Sequence, residues 1–195
     1  ETNDRMRELV NQVLDTGRIS YGPMSREFER RFADIHECRF GVLSNSGTSS
    51  LQVALQAMKE LYGWQDGDEV ITQSLTFVAT VNIILHNRLK PVLVDVDEYY
   101  GMDPELLEKA ITPKTRAIIP VHLFGQPCDM TSIQDMAHWR KLKVIEDSCE
   151  SMFVEHNGHM TGSWGDLGCF SLYVAHLLTA GVGGVGMLYT TDRKV

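Results

Sequence analysis

Long apolar runs, basic clusters and paired cysteines are all missing from this sequence. The longest apolar stretches, such as 116–125, are interrupted by Arg, His and Pro. They fall well short of the roughly 18 residues that a membrane-spanning helix needs. The amino terminus is polar and amphipathic rather than basic and then apolar, so no signal peptide is expected. Lys and Arg number 18 against 26 Asp and Glu, for a net charge of −8. No cluster of cations offers a face to nucleic acid, although a few local donors suffice to hold a small anionic ligand. The cysteines (Cys38, Cys128, Cys149, Cys169) are scattered without a CxxC pair. That spacing argues against a disulfide framework and a structural zinc site, and makes a reduced, cytoplasmic protein the expectation. His156 and His159 have no third ligand in their neighbourhood and read as residues of a surface turn, so no metal site is expected. Lysine is absent between Lys143 and Lys194. The chain starts at Glu1 without an initiator Met, which suggests a fragment of a longer protein.

What is present is an ordinary globular composition, 43% hydrophobic and 23% charged over 195 residues, enough to bury one full core. Short apolar runs at 40–44, 69–73, 91–96, 116–121, 142–146, 168–172 and 184–190 read as strands. Most are continuously apolar, as in parallel sheets buried on both faces. Helical patterns lie between them at 25–36, 48–62, 77–87, 103–111 and 130–140. Met102-Asp103-Pro104 marks one helix start, with Asp as N-cap and Pro in the first turn. The alternation predicts a three-layer α/β/α domain around a mostly parallel, seven-stranded sheet. Ligands of such sheets bind beyond the carboxyl ends of the strands, so the loops there carry the chemistry.

Three of those loops stand out. In Ser44-Asn45-Ser46-Gly47-Thr48-Ser49-Ser50, a glycine permits close backbone approach, and hydroxyls and free amides gather at a helix N-terminus. This suits a phosphate, or else it is a plain Ser/Thr cap. In Val144-Ile145-Glu146-Asp147-Ser148-Cys149-Glu150, an apolar strand delivers Asp147 to the sheet rim. There a carboxylate can keep a ring nitrogen protonated, or it can simply cap a turn. The third loop is Phe170-Ser171-Leu172-Tyr173-Val174-Ala175-His176, followed by the glycine run 181–186. The run formally fits GxGxxG but leads into a strand rather than a helix, so it reads as a bend and not as a dinucleotide loop.

Taken in order, these residues resemble the DegT/DnrJ/EryC1/StrS sugar aminotransferases, within fold type I pyridoxal-phosphate enzymes. Gly22-Pro23 with Phe28-Glu29 is similar to the family's GPxxxxFE, and Ser46-Gly47-Thr48 to its SGT. Thr76-Phe77-Val78-Ala79-Thr80 is similar to its TFxAT. Pro91 to Asp97, Val121-His122-Leu123-Phe124-Gly125 and Glu146-Asp147-Ser148-Cys149-Glu150 follow in family order. The resemblance implies a pyridoxal or pyridoxamine 5′-phosphate cofactor and a nucleotide-linked keto sugar as substrate, in polysaccharide, O-antigen or deoxysugar biosynthesis. It implies a homodimer with sites at the subunit interface, and residues 1–195 as the cofactor-binding large domain without the smaller C-terminal one. Asp147 would pair with the pyridine nitrogen, Phe77 would lie against the ring, and Gly47, Thr48 and Ser171 would hold the phosphate. Glu150 would sit near the cofactor's hydroxyl, where the family often has Gln or His. Cys149 falls where some dehydratases of the family place an iron–sulfur ligand.

One departure changes the expected chemistry. The family's SFxxxK lysine, which anchors the cofactor covalently, is matched here by His176, and the lysine-free stretch rules out a small shift of register. Val174 replaces a common Pro, and Val182 a common Glu. Histidine at this position resembles the family's 3-dehydratases of nucleotide-linked 4-keto-6-deoxy sugars. Imidazole, with a reference pKa of about 6.5, is a good general base at neutral pH. In that reading pyridoxamine phosphate is held without a covalent bond, and its amine condenses with the sugar's 4-keto group. His176 removes a proton from the cofactor's methylene carbon, and the 3-hydroxyl departs. The alternatives are an aminotransferase of the same substrate class, and an inactive scaffold or partner of an active paralogue.

Overall fold

Consecutive strand residues alternate between two cores, and that alternation sets the architecture. The computed structural model describes residues 3–180 and 186–190. In β2 (Glu69–Gln73), Val70 joins one cluster with Leu51, Leu55, Met58, Ile83 and Ile84, while its neighbour Ile71 joins Leu107, Met130 and Ile133. In β4 (Thr115–Ile119), Ala117 and Ile119 face the first cluster and Ile118 the second; β5 (Lys143–Asp147) divides Ile145 and Val144 in the same way. Side chains leave a strand with a period of two, so a run that is apolar throughout requires cover on both faces. That cover comes from α3 (Gly47–Tyr62) and α4 (Val78–His86) on one side. On the other side lie α5 (Pro104–Ala110) and α6 (Met130–Arg140). Each fully buried Leu, Ile or Met contributes about 1.5–3 kcal/mol to holding the layers together.

The remaining strands are β1 (Phe40–Ser44), β3 (Lys90–Val94), β8 (Leu167–Ser171) and β9 (Gly186–Thr190), with a small hairpin of β6 (Glu155–His156) and β7 (His159–Met160). The main sheet has seven strands in the order β1-β9-β8-β5-β4-β2-β3. β9 runs antiparallel to both β1 and β8, and the other strands share one direction. This is the expected α/β fold with a mostly parallel seven-stranded sheet. The strand runs expected to reach Val96 and Val121 end earlier, because those two residues pair only through single bridges, to Met102 and Asp147.

Local signals act where the sequence places them. Asp103 caps α5 by accepting from the amides of Glu105 and Leu106, with Pro104 in the first turn. Pro23 opens α2 (Pro23–Ile35), and α3 ends on Gly63 at φ 67°, a left-handed conformation that glycine adopts without strain. Glu29 of the Phe28-Glu29 pair accepts from the Leu43 amide at 2.8 Å and from the Tyr21 hydroxyl at 2.6 Å, tying α2 to the edge strand β1. His156 and His159 flank Asn157-Gly158, both at positive φ, the turn chemistry of a tight hairpin. Three elements were not expected: this hairpin, a short 3-10 turn at Leu123–Gly125, and α1 (Asp4–Asp15). α1 is capped by Asn3 and exposes a stripe of Met6, Val10 and Leu14. No described helix is long and apolar enough to cross a membrane. Most of the glycine run, with Val182, lies outside the described residues.

Candidate active site

The carboxyl ends of the strands enclose a cavity of about 400 Å³. Every candidate residue lines it: Gly47 and Thr48 after β1, Phe77 after β2, Asp147 and Glu150 at the end of β5, and Ser171 and His176 at the end of β8. No lysine or arginine among the described residues lines it. A larger cavity of about 620 Å³ opens at the opposite end of the sheet and holds none of them. Of its four cations, Arg116 is committed to an ion pair with Asp68 and Lys143 to one with Asp166. The position, not the size, singles out the first cavity.

At one end of that cavity is the start of α3. Ser46 is the N-cap, its hydroxyl accepting from the Ser49 amide at 3.1 Å, so the plain capping reading holds for Ser46. The amides of Gly47 and Thr48, and the Thr48 hydroxyl, have no partner among the described residues. They remain available to an anion at the positive end of the helix. Gly47 is required by close approach: a Cβ there would stand 2.8 Å from Ser171 Cβ and 2.9 Å from Cys149 Sγ. Any side chain would force apart the loops that form this end of the cavity.

Asp147 forms part of the floor and is almost fully buried. Its Oδ2 accepts from the Thr80 hydroxyl at 2.7 Å, and its Oδ1 accepts from the Cys149 amide at 3.3 Å. Its backbone is locked on both sides, with its N–H donating to Pro120 and its carbonyl accepting from His122. The preceding residue points the other way. Glu146 is wholly buried and accepts from the amides of Gly162 (2.7 Å) and Gly165 (2.6 Å). It also bonds His122 Nε2 at 3.0 Å. The Cys128 amide can only donate, so His122 Nδ1 accepts, and Nε2–H is the donor to Glu146. Gly168 lets this clamp close, since a Cβ there would fall 2.2 Å from the Gly162 carbonyl oxygen. The two adjacent carboxylates thus divide the work: Glu146 fastens the sheet to the 162–165 turn and Asp147 faces the cavity.

The walls are formed by loops. Phe77, at the start of α4, is 66% exposed, a large ring left at the mouth. Glu150 lines the cavity and also accepts from the Phe124 amide at 2.9 Å, bracing a turn in which Phe124 adopts φ 56°. Burial, and then the neighbouring Asp147, push the Cys149 thiol well above its ordinary range, so it stays protonated. His176 is half-buried in the loop after β8, its amide bonded to the Tyr173 carbonyl at 2.9 Å. Its ring meets that of Tyr173 edge-on at 6.1 Å. Among the described residues its imidazole has no hydrogen-bond partner.

The arrangement offers amides and hydroxyls for a phosphate, a buried carboxylate for a cationic ring nitrogen, an aromatic face, and an imidazole. A cavity of this size, with few convergent polar groups, suits a small aromatic cofactor. Sequence reasoning named these residues but missed Thr80 as a partner of Asp147. The signal was a threonine of the Thr76–Thr80 segment placed on the inner face of a helix.

The model of the DegT/DnrJ/EryC1/StrS aminotransferase family matches residues 1–195. The chain is 42% identical over 188 residues to GDP-perosamine synthase of Caulobacter vibrioides, covering 95% of this chain and 49% of that protein. It is 41% identical over 187 residues to the spore coat polysaccharide biosynthesis protein SpsC of Bacillus subtilis, covering 95% and 46%. Among solved structures it resembles the E. coli GDP-4-keto-6-deoxy-D-mannose-3-dehydratase with bound hydrated PLP. The TM-score there is 0.92 at 26% identity, covering 98% of this chain and 49% of that one. The chain spans about half the length of the curated relatives it matches.

Proposed function

Because the chain belongs to the DegT/DnrJ/EryC1/StrS aminotransferase family, we propose that it is the cofactor-binding large domain of a pyridoxal/pyridoxamine-phosphate enzyme that removes the 3-hydroxyl of a nucleotide-linked 4-keto-6-deoxy sugar. One observation carries the reading: His176 lines the cavity that also contains Asp147, and no lysine among the described residues lines it. The likeness to a solved 3-dehydratase supports the same choice. When bound, pyridoxamine phosphate supplies a primary amine for the keto group and a ring that takes up electrons.

The chain's own residues do the rest. The Gly47 and Thr48 amides, with the Thr48 and Ser171 hydroxyls, hold the phosphate against the start of α3. Asp147 keeps the ring nitrogen protonated, and Phe77 covers a ring face. Glu150 holds the loop after β4 beside the cofactor's hydroxyl. His176, whose ring has no hydrogen-bond partner among the described residues, would serve as the base for a proton of the cofactor's methylene carbon.

The full enzyme is a homodimer in this reading. Phe77, Tyr173, Val174 and Leu177 leave apolar surface around a cavity that no lysine or arginine among the described residues lines, and a second subunit can cover the one and supply the other. The four cysteines are free, which fits a reducing cytoplasm, and the likeness to the spore coat polysaccharide protein supports a place in polysaccharide biosynthesis.

A second reading, aminotransfer to the same class of sugar, is favoured by the higher identity to GDP-perosamine synthase. Product analysis separates the two. Given excess pyridoxamine phosphate and a nucleotide-linked 4-keto-6-deoxy sugar, the full-length protein is expected to form the 3-deoxygenated sugar, detected by mass spectrometry. An amino sugar in its place would establish the aminotransferase. No turnover would favour a scaffold that partners an active paralogue.

A further inference from the structure

Asp147 is held by more than its own strand. Thr80, in the first turn of α4, is fully buried, and its hydroxyl donates to Asp147 Oδ2 at 2.7 Å across 67 positions of sequence. The Thr76 hydroxyl donates in turn to Thr80 Oγ1 at 2.9 Å. A threonine inside a helix commonly turns its hydroxyl back on the carbonyl four residues earlier. Here the hydroxyl leaves the helix for a carboxylate on the neighbouring strand. Thr80 has one proton to give, and Thr76 already occupies it as an acceptor, so the two bonds form a relay with a single direction.

The terminal torsion of an aspartate is broad and close to two-fold, so packing alone fixes its carboxylate plane poorly. A short bond to one oxygen and an amide bond to the other fix it well. A buried carboxylate also needs such donors to offset the water it has lost. The other titratable groups lining the cavity are Cys149, Glu150, Tyr173 and His176. Of these, the Cys149 thiol also lies against the Asp147 carboxylate, while the short hydroxyl bond to Oδ2 comes from Thr80.

We infer that Thr80, oriented by Thr76, is a positioning residue that sets the Asp147 carboxylate to hold the cofactor's ring nitrogen in its protonated form. The inference rests on the cofactor reading given above. Thr80→Val keeps the side-chain shape and removes the hydroxyl; Thr80→Ser keeps the hydroxyl. In the full-length protein, binding of pyridoxamine phosphate is measured by equilibrium dialysis, and the bound ring is titrated with pH by absorbance. Thr80→Val is expected to weaken binding about tenfold and to move loss of the ring proton about one unit lower in pH, the two being equivalent in free energy. Thr80→Ser is expected to restore both. A Thr80→Val protein whose bound ring titrates like the wild type overturns the inference, whatever its affinity, and leaves Thr80 a packing residue. A wild type that binds no pyridoxamine phosphate overturns the cofactor reading and this inference with it. Should Thr80→Val fail to fold, the half-buried Thr76→Val serves: a smaller shift of the same sign supports the relay, and an unmoved titration overturns it.

Discussion

Replacing His176 with alanine is expected to lower elimination of the 3-hydroxyl by about 10²- to 10⁴-fold, the usual worth of a positioned general base. Pyridoxamine phosphate should stay bound, because most groups assigned to it lie on other loops (Gly47 and Thr48 after β1, Phe77 after β2, Asp147 at the end of β5) and Ser171 is held within β8 itself. The ring of His176 makes no hydrogen bond among the described residues, so its removal strands no partner and should cost the fold little. Single-turnover kinetics with preloaded pyridoxamine phosphate measure the step directly. His176→Lys carries a complementary expectation, namely a covalent link to pyridoxal phosphate and reduced dehydration. An undiminished rate in either variant would remove His176 from the role of base.

The second large effect is expected at Asp147. Asp147→Asn preserves shape but removes the charge that the ring nitrogen requires, and turnover is expected to fall by about 10²- to 10³-fold, comparable to the loss of one preorganised electrostatic contact. Binding should weaken as well, because the neutral amide no longer favours the protonated ring. The apoprotein tells catalysis from folding. Asp147 is nearly buried and forms no ion pair among the described residues, so neutralising it relieves a desolvation cost. The amide NH2 of Asn would meet one of two donors, the Thr80 hydroxyl or the Cys149 amide, which offsets that relief, so the thermal midpoint should change little while turnover collapses. A variant with wild-type turnover would show that another group protonates the ring; one that melts early would make Asp147 mainly structural.

The sheet was legible because burial on both faces leaves a plain mark. Val70-Ile71, Ala117-Ile118-Ile119 and Val144-Ile145 are apolar without interruption, and their alternate members enter opposite cores. Gly47, Asp147, Ser171 and His176 were legible because strand ends converge by topology, even though 129 positions separate the first from the last. The hairpin was not: strands of two residues are too short to show a period, and only Asn157-Gly158 hinted at it. α1 was passed over because its residues are largely polar, with no buried residue and an exposed stripe of Met6, Val10 and Leu14. The Thr80–Asp147 bond was hidden for a different reason. A threonine in a helix is an unremarkable residue until its neighbour across the sheet is known. The Glu150–Phe124 bond likewise depends on a positive-φ turn that no local pattern announces.

The central claim is a B6 enzyme that works without an anchoring lysine. Its most direct test is the intact mass of the full-length protein after incubation with pyridoxal phosphate and reduction by borohydride, with pyridoxamine phosphate retention measured alongside. The account predicts no single-site adduct and tight retention of pyridoxamine phosphate. A stoichiometric adduct mapped to one lysine would contradict it and make the aminotransferase the better reading.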